Sequence, residues 1–400
     1  MLDSLKRYLQ RYTDNTPLKK RQRIMALDLL RGLFMVCIVV NHNSGWTPSF
    51  INIFTGQGTL FASAAEGFFI ISGILVGYIY GPKVLKNTRD IFTKLWKRAL
   101  LLYILTVSLS ILFYSWNLLT PGVEFRNEDW TGNFLGFIVS TFTLDFVYGW
   151  HDFLRQYAVF MFFAPFIVLL CAIKKPIVAV GISVLIWLFF GTNPDAQPYA
   201  SWQIIFTLGI VAGYYLPQIE RFWQTINKPR ANIYSKIVII AAIVTYLFSV
   251  TLFTLIPAIQ DTMGGILPIY IAEKLAWFVD LRNLYVLPLM LPRDDISLFR
   301  IFFCALWFSA LYISFRKYED SIENKTRGVL SFFGKNSLFI FCLHGALLFL
   351  QDMLIGAQTG FNILLNTVVH IVLLSSVFAV TWLYRRYQPR LPKISALGLK

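Results

Sequence analysis

Long apolar runs separated by short polar breaks fill the chain from residue 24 to residue 384. Runs of the length that crosses a bilayer, about 17 to 25 residues, lie near 24–42, 60–81, 99–119, 157–173, 176–192, 202–219, 237–256, 298–315, 328–350 and 362–384. They are too uniformly apolar for the one-sided stripe of a helix on a water-soluble domain. The pattern predicts an all-α, polytopic integral membrane protein with about ten transmembrane helices. Two further apolar stretches, 133–150 and 265–292, have three open placements: in the interface, re-entrant, or as an extra pair of helices. A basic segment at 1–23 precedes the membrane domain at 24–384, and a basic tail at 385–400 follows it. Segment 1–23 has no apolar signal region and no cleavage site, so it does not read as a signal peptide.

Charge sets the orientation. The chain has 400 residues, of which 56% are hydrophobic and 14% charged, with a formal net charge of +15 and a mean hydropathy of +0.60. A soluble domain carries roughly 25% charge. The excess of basic residues would suit a nucleic-acid partner if it were interleaved with exposed aromatics. Instead, 28 of the 36 Lys and Arg sit in the alternate breaks 1–23, 82–98, 174–175, 220–236, 316–327 and 385–400. That is the positive-inside distribution, and it places both termini in the cytoplasm. No nucleic acid is expected. Cys37, Cys171, Cys304 and Cys342 all fall within predicted spans without ligand spacing, so they read as packing residues, and no metal is expected.

The first run, "DLLRGLFMVCIVVNH", contains charged positions that lipid penalises by roughly 2.5 to 3.5 kcal/mol each. At about 100° per residue, Arg31 and His42 lie some 20° apart around a helix and about 16 Å apart along it. Asp28, three residues before Arg31, is spaced to pair with it. These three residues predict one polar stripe along the helix. A structural ion pair capped by a terminal histidine is the plainer reading. Against it stands "SAAEGFFIISG" in the second run, where Glu66 has no basic residue at helical spacing and calls for a partner elsewhere, expected on the first helix. The small residues Ser63, Ala64, Ala65, Gly67, Ser72 and Gly73 permit close approach by a neighbouring helix.

The motifs resemble a known family. The spacing of Arg31, ten residues, then His42 is similar to the signature of acyltransferase family three and the wider transmembrane acyltransferases. The ordered segments "LDLLRG", "SAAEGFFIISGILVGYIYG", "WKRALLLY", "NPDAQPYASWQIIFTLG", "EKLAWFVDLRNL" and "FGKNSLFIFCLHGALL" resemble the OpgC family over roughly residues 22 to 385. That family comprises bacterial inner-membrane enzymes associated with succinylating osmoregulated periplasmic glucans. The stretch "GWHDFLRQY" departs from the pattern, which raises an acceptor site particular to this chain at His151, Asp152 and Arg155.

The resemblance implies an acyl-CoA donor, succinyl-CoA or acetyl-CoA, and an envelope glycan acceptor, with no bound cofactor. His42 would be the general base that takes the hydroxyl proton, by direct transfer or through an acyl-histidine. Arg31 and Asp28 would line the inner part of the route, and Glu66 would orient His42 or balance Arg31. Lys94, Lys97 and Arg98 of "TKLWKR", three and four residues apart, would meet the donor phosphates, although positive-inside anchoring explains them equally well. Trp202 and Gln203 would hold a sugar, or serve as interfacial anchors. Lys274 and Arg282 would bind a succinyl carboxylate, or pair locally with Glu273 and Asp280. His344 reads as a core histidine facing the bundle, and His370 has no motif support. The oligomeric state stays open, a homodimer included. The main rival is an envelope glycan or small-molecule transporter or flippase, which also uses buried charges. The absence of an internal repeat argues against it.

Overall fold

The computed structural model describes residues 23–119, 130, 133–191, 199–263, 268–286, 296–356 and 362–387. Among the described residues the regular structure is helical. The principal helices are α1 (Met25–His42), α2 (Phe50–Thr55), α3 (Ala64–Tyr80), α4 (Thr88–Leu119), α5 (Phe134–Phe142), α6 (Asp152–Ala172), α7 (Pro176–Phe190), α8 (Tyr199–Thr225) and α9 (Lys228–Val250). They continue with α10 (Ile256–Met263), α11 (Ile269–Leu281), α12 (Leu298–Lys317), α13 (Glu319–Lys325), α14 (Val329–Lys335), α15 (Ser337–Ile355) and α16 (Ile363–Tyr387).

Every predicted run coincides with helix, with three refinements. Among the described residues, eight helical segments are long and apolar enough to cross a membrane, against the ten expected. The other two runs form α7, whose 15 residues span about 22 Å, and α8, whose apolar stretch is diluted by Trp202, Gln203, Tyr214, Tyr215 and Pro217. The run at 328–350 is broken at Asn336, whose backbone leaves the helical region at ψ 15° and whose Nδ2 turns back to the Phe332 carbonyl at 2.8 Å. The described part of 133–150 contains α5 (9 residues) and the start of a 3-10 turn at Gly149, and that of 265–292 contains α11 (13 residues) continued by one π-helical turn, Arg282–Val286. Neither is among the eight segments long and apolar enough to cross, the second because Glu273, Lys274, Asp280 and Arg282 interrupt it; residues 265–267 and 287–292 lie outside the described residues.

The chain forms two compact units, with one boundary inside α3, between Phe68 and Phe69, and another at the start of α9, between Lys228 and Pro229. One unit contains α4 to α8 with the rest of α3. Here α3 and α8 pack through two pairs of glycines at four-residue spacing. A Cβ on Gly73 or Gly77 would meet the Phe206 or Ile210 carbonyl, and one on Gly209 or Gly213 would meet the Ile70 or Ile74 carbonyl. This is the close backbone approach that the small residues of the second run predict, with α8 as the neighbour. Phe69 stacks on Phe153 with ring centroids 4.3 Å apart.

The other unit contains α1, α2, the first turn of α3, and α9 to α16. Its centre is α1, with Leu27, Leu29, Leu30, Met35 and Val39 almost wholly buried. The short α14 lies directly on α1, because both helices present a glycine at the crossing. A Cβ on Gly32 would strike the Leu330 carbonyl, and one on Gly334 the Asp28 carbonyl.

Candidate functional site

His42 is the last residue of α1, and His344 lies two turns into α15. His42 Nδ1 and His344 Nε2 are 2.7 Å apart, with ring centroids separated by 5.0 Å. His344 is buried, while His42 is half-buried. The tautomers follow from the partners. A carbonyl can only accept, so His344 Nδ1–H donates to the Phe341 carbonyl. Neutral His344 then accepts at Nε2 from His42 Nδ1–H, which puts the lone pair of His42 on Nε2. The Phe341 ring lies edge-on to His42 at 6.2 Å. Just beyond α1, the buried Asn43 accepts from Gln351 Nε2 at 2.8 Å.

The rest of the predicted stripe is divided. Asp28 and Arg31 are both half-buried, and the Arg31 guanidinium sits 5.0 Å over the Phe68 ring, a cation–π placement. Between Arg31 and His42 the same face carries Met35 and Ile38, exposed by 0% and 4%. The polar stripe is therefore two polar ends joined by a packed apolar middle. The periodicity places the charges on one face but says nothing of what fills the space between them.

Glu66 has its partner on α12, not on the first helix as expected. Arg300 donates through Nε and Nη2 to Glu66 Oε1, and the two side chains are exposed by 3% and 0%. The other carboxylate oxygen accepts from the Ser63 backbone N–H at 2.9 Å and from the Ser63 hydroxyl. Ser63 Oγ in turn accepts from the Ala65 N–H at 3.3 Å. The segment Ser63-Ala64-Ala65-Glu66 thus starts the helix with a variant of the capping box, in which Glu66 reaches back to the Ser63 N–H while the serine oxygen takes the N–H of Ala65. Since α3 begins at Ala64, Glu66 lies in its first turn, where the helix dipole favours an anion. Arg300 is held in the first turn of α12, whose cap Ser297 accepts the Arg300 N–H at 3.2 Å. Two sequence signals pointed here: the S-x-x-E pattern, and a lone arginine in an apolar run to match the lone glutamate.

Of the remaining predicted residues, Lys274 and Arg282 share the unit of His42 and have other partners. Lys274 lies 5.6 Å over Tyr270 of its own helix. Arg282 donates to Asn283 Oδ1 at 3.0 and 2.9 Å and sits 5.9 Å from the Phe253 ring. The others belong to the first unit. Lys94 pairs with Asp90 at 2.7 Å, Arg98 donates to the Tyr157 hydroxyl at 3.0 Å, and Lys97 is exposed beside a groove. The basic trio is therefore split between different surroundings instead of presenting one phosphate cradle. Gln203 exchanges hydrogen bonds with Ser183, donating to its carbonyl at 2.7 Å and accepting from its hydroxyl at 2.6 Å. Trp202 packs edge-on to Phe69 at 5.7 Å. Asp152 starts α6 and accepts from the Phe153 N–H at 2.7 Å. Its neighbours are anchored too: Arg155 donates to the Leu144 carbonyl at 3.2 Å, and His151 Nδ1 to the Tyr148 carbonyl at 2.7 Å.

A cavity of about 800 Å³ also occupies the second unit, with Leu33, Phe34, Val36 and Cys37 of α1 in its wall. Those four centre about 160° around the helix from His42, so the cavity lies behind α1 with respect to the histidine pair.

A multi-pass helical membrane protein with a histidine pair at the end of its first helix is the class that this fold and site define. The family model described as OpgC protein matches residues 23–389, and the chain belongs to the OpgC family. Membership points to an acyltransferase-like role in glucan modification. Neither the curated proteins nor the solved structures supply a match.

Proposed function

We propose that the protein is a bacterial inner-membrane O-acyltransferase that moves an acyl group, succinyl as the first choice, from acyl-CoA to a hydroxyl of a periplasmic glucan or related envelope glycan. The observation that carries this reading is the hydrogen-bonded chain from the Phe341 carbonyl through His344 to His42. It fixes the proton of His42 on Nδ1 and leaves Nε2 basic, as a general base requires. As the glycan oxygen attacks the thioester carbonyl, its proton passes to His42 Nε2. The C–S bond then breaks, and the CoA thiolate takes a proton on leaving. An imidazolium formed on His42 keeps its Nδ1–H bond to His344, which orients the ring throughout. His42 is the catalytic residue here and His344 a positioning residue. Arg31 and Asp28, at the other end of α1, would meet the anionic part of the donor, and the Glu66–Arg300 pair would hold α3 and α12 in place beside it.

The test is release of free thiol from succinyl-CoA and acetyl-CoA by purified protein, with and without periplasmic glucan. Acceptor-dependent release is expected, falling about 10²- to 10⁴-fold in His42→Ala. A variant His344→Gln, whose amide oxygen can accept from His42 Nδ1–H, should keep more activity than His344→Ala. Equal release without His42 in a folded variant would remove this mechanism.

A further inference from the structure

The first unit contains a groove to which the mechanism above gives no role. Helices α4 and α6 run antiparallel, with Phe92 beside Phe166 and Arg98 beside Tyr157. Between them lies a space of about 720 Å³, walled by Trp96, Leu100, Tyr103, Ala158 and Phe162 and bounded by Leu144. From Thr93 to Tyr103 it follows α4 for about 15 Å, which is the depth of one leaflet of a roughly 30 Å hydrocarbon core.

Its mouth is cationic. Around α4, Arg89, Thr93, Trp96, Lys97, Leu100 and Tyr103 share an arc of about 120°. Arg89 and Lys97 are exposed on that arc, whereas Lys94 is paired with Asp90 and Arg98 turns to Tyr157. The apolar run of α4 begins at Ala99, so Lys97 stands at the border of the bilayer, Arg89 lies about 12 Å further out along the helix, and Leu100 and Tyr103 lie inside the bilayer. Trp96, half out of the surface at 40% exposure, takes the border position that this residue favours. The wall hydroxyls are already committed. Thr93 donates to the Arg89 carbonyl at 2.8 Å and Tyr103 to the Phe142 carbonyl at 2.8 Å. An amide-bearing pantetheine arm would find no hydroxyl proton there, but a hydrocarbon chain needs none.

We propose that this groove is a site for an anionic phospholipid, its phosphate between Arg89 and Lys97 and one acyl chain along Trp96, Leu100 and Phe162. The full-length protein is reconstituted in vesicles of phosphatidylcholine and phosphatidylglycerol in equal amounts, extracted in mild detergent, and its retained lipid weighed by native mass spectrometry. Phosphatidylglycerol should be enriched on the wild-type protein. Arg89→Gln and Lys97→Gln should each reduce the enrichment about fivefold, the worth of one cation near an anionic surface. Leu100→Trp fills the groove from an exposed position and should release both lipids while leaving the unfolding temperature unchanged. Equal retention by the wild type and the charge variants would overturn the site. So would displacement of the lipid by CoA, which would make the groove a donor site.

Discussion

At the residue scale, the chain handles its buried charges by pairing them across long sequence separations. Glu66 and Arg300 are 234 positions apart, and no local pattern links them. The sequence shows that Glu66 lacks a partner at helical spacing, but the partner depends on where α12 packs. The same holds for His42 and His344, 302 positions apart. A buried ion pair offers little net stability, yet removing one partner strands the other, at about 3 to 5 kcal/mol. Arg300→Met and Glu66→Met should each lower stability by that order, and the double variant by much less than the two together. Additive losses in thermal unfolding would show that the two groups do not act as a pair. His151 gives a separate prediction outside the spanning segments, in the turn before α6. Burial pushes its pKa down from 6.5 to about 4, against the opposing hydrogen bond to the Tyr148 carbonyl and stacked 5.2 Å from Phe113. Between those values the unfolded chain binds the proton and the folded chain does not, so stability falls as pH drops from 6.5 towards 4, by about 3 kcal/mol in all. His151→Asn, which keeps an N–H donor but does not titrate, should flatten that part of a melting-temperature profile taken in detergent. An unchanged slope would place its origin in another group.

At the scale of elements, length and apolarity made the helices legible, and the breaks were harder to see. The run at 328–350 reads as one span because Asn336 is a single polar residue among apolar ones. In the structure Asn336 ends α14, receives the Arg385 guanidinium, and lets α14 lie on α1 while α15 carries His344 towards His42. That division depends on the crossing at Gly32 and Gly334, where each helix meets the other's backbone carbonyl. Backbone cannot yield as a flexible side chain does. Gly334→Ala should therefore cost about 1 to 3 kcal/mol or more through overpacking, and should lower the catalytic rate as well by shifting the start of α15. By contrast, Gly181→Ala in α7 meets nothing within 4 Å and should be neutral or slightly stabilising from helix propensity. Comparing both variants in one unfolding series checks the crossing: equal effects would mean that α14 and α1 are not in backbone contact.

For the whole molecule, the charge pattern makes a statement about topology that survives the change in span count. Eight helical segments among the described residues have the length and apolarity to cross, and α7 and α8 are consecutive. If both cross, or neither, the count stays even, and an even count returns the chain to the side on which it began. The Lys and Arg distribution predicts that this side is the cytoplasm, since 7 of them precede residue 24 and 5 follow residue 384. The lone short helix α7, at about 22 Å, is the element that tests this parity, since it can cross a roughly 30 Å core only with local thinning or flanking Lys174 and Lys175 reaching to the interface. Single cysteines introduced as Ser4→Cys, Asn193→Cys and Ser395→Cys, each in a chain whose four native cysteines are replaced by alanine or serine, should give one result with a membrane-impermeant maleimide on intact cells. Position 193, in the break after α7, labels, and positions 4 and 395 label only after permeabilisation. Labelling of position 193 only after permeabilisation would show that α7 does not cross. Labelling of one terminus but not the other would make the count odd, and labelling of position 4 would put His42 on the cytoplasmic side, which the acyl-transfer reading cannot use.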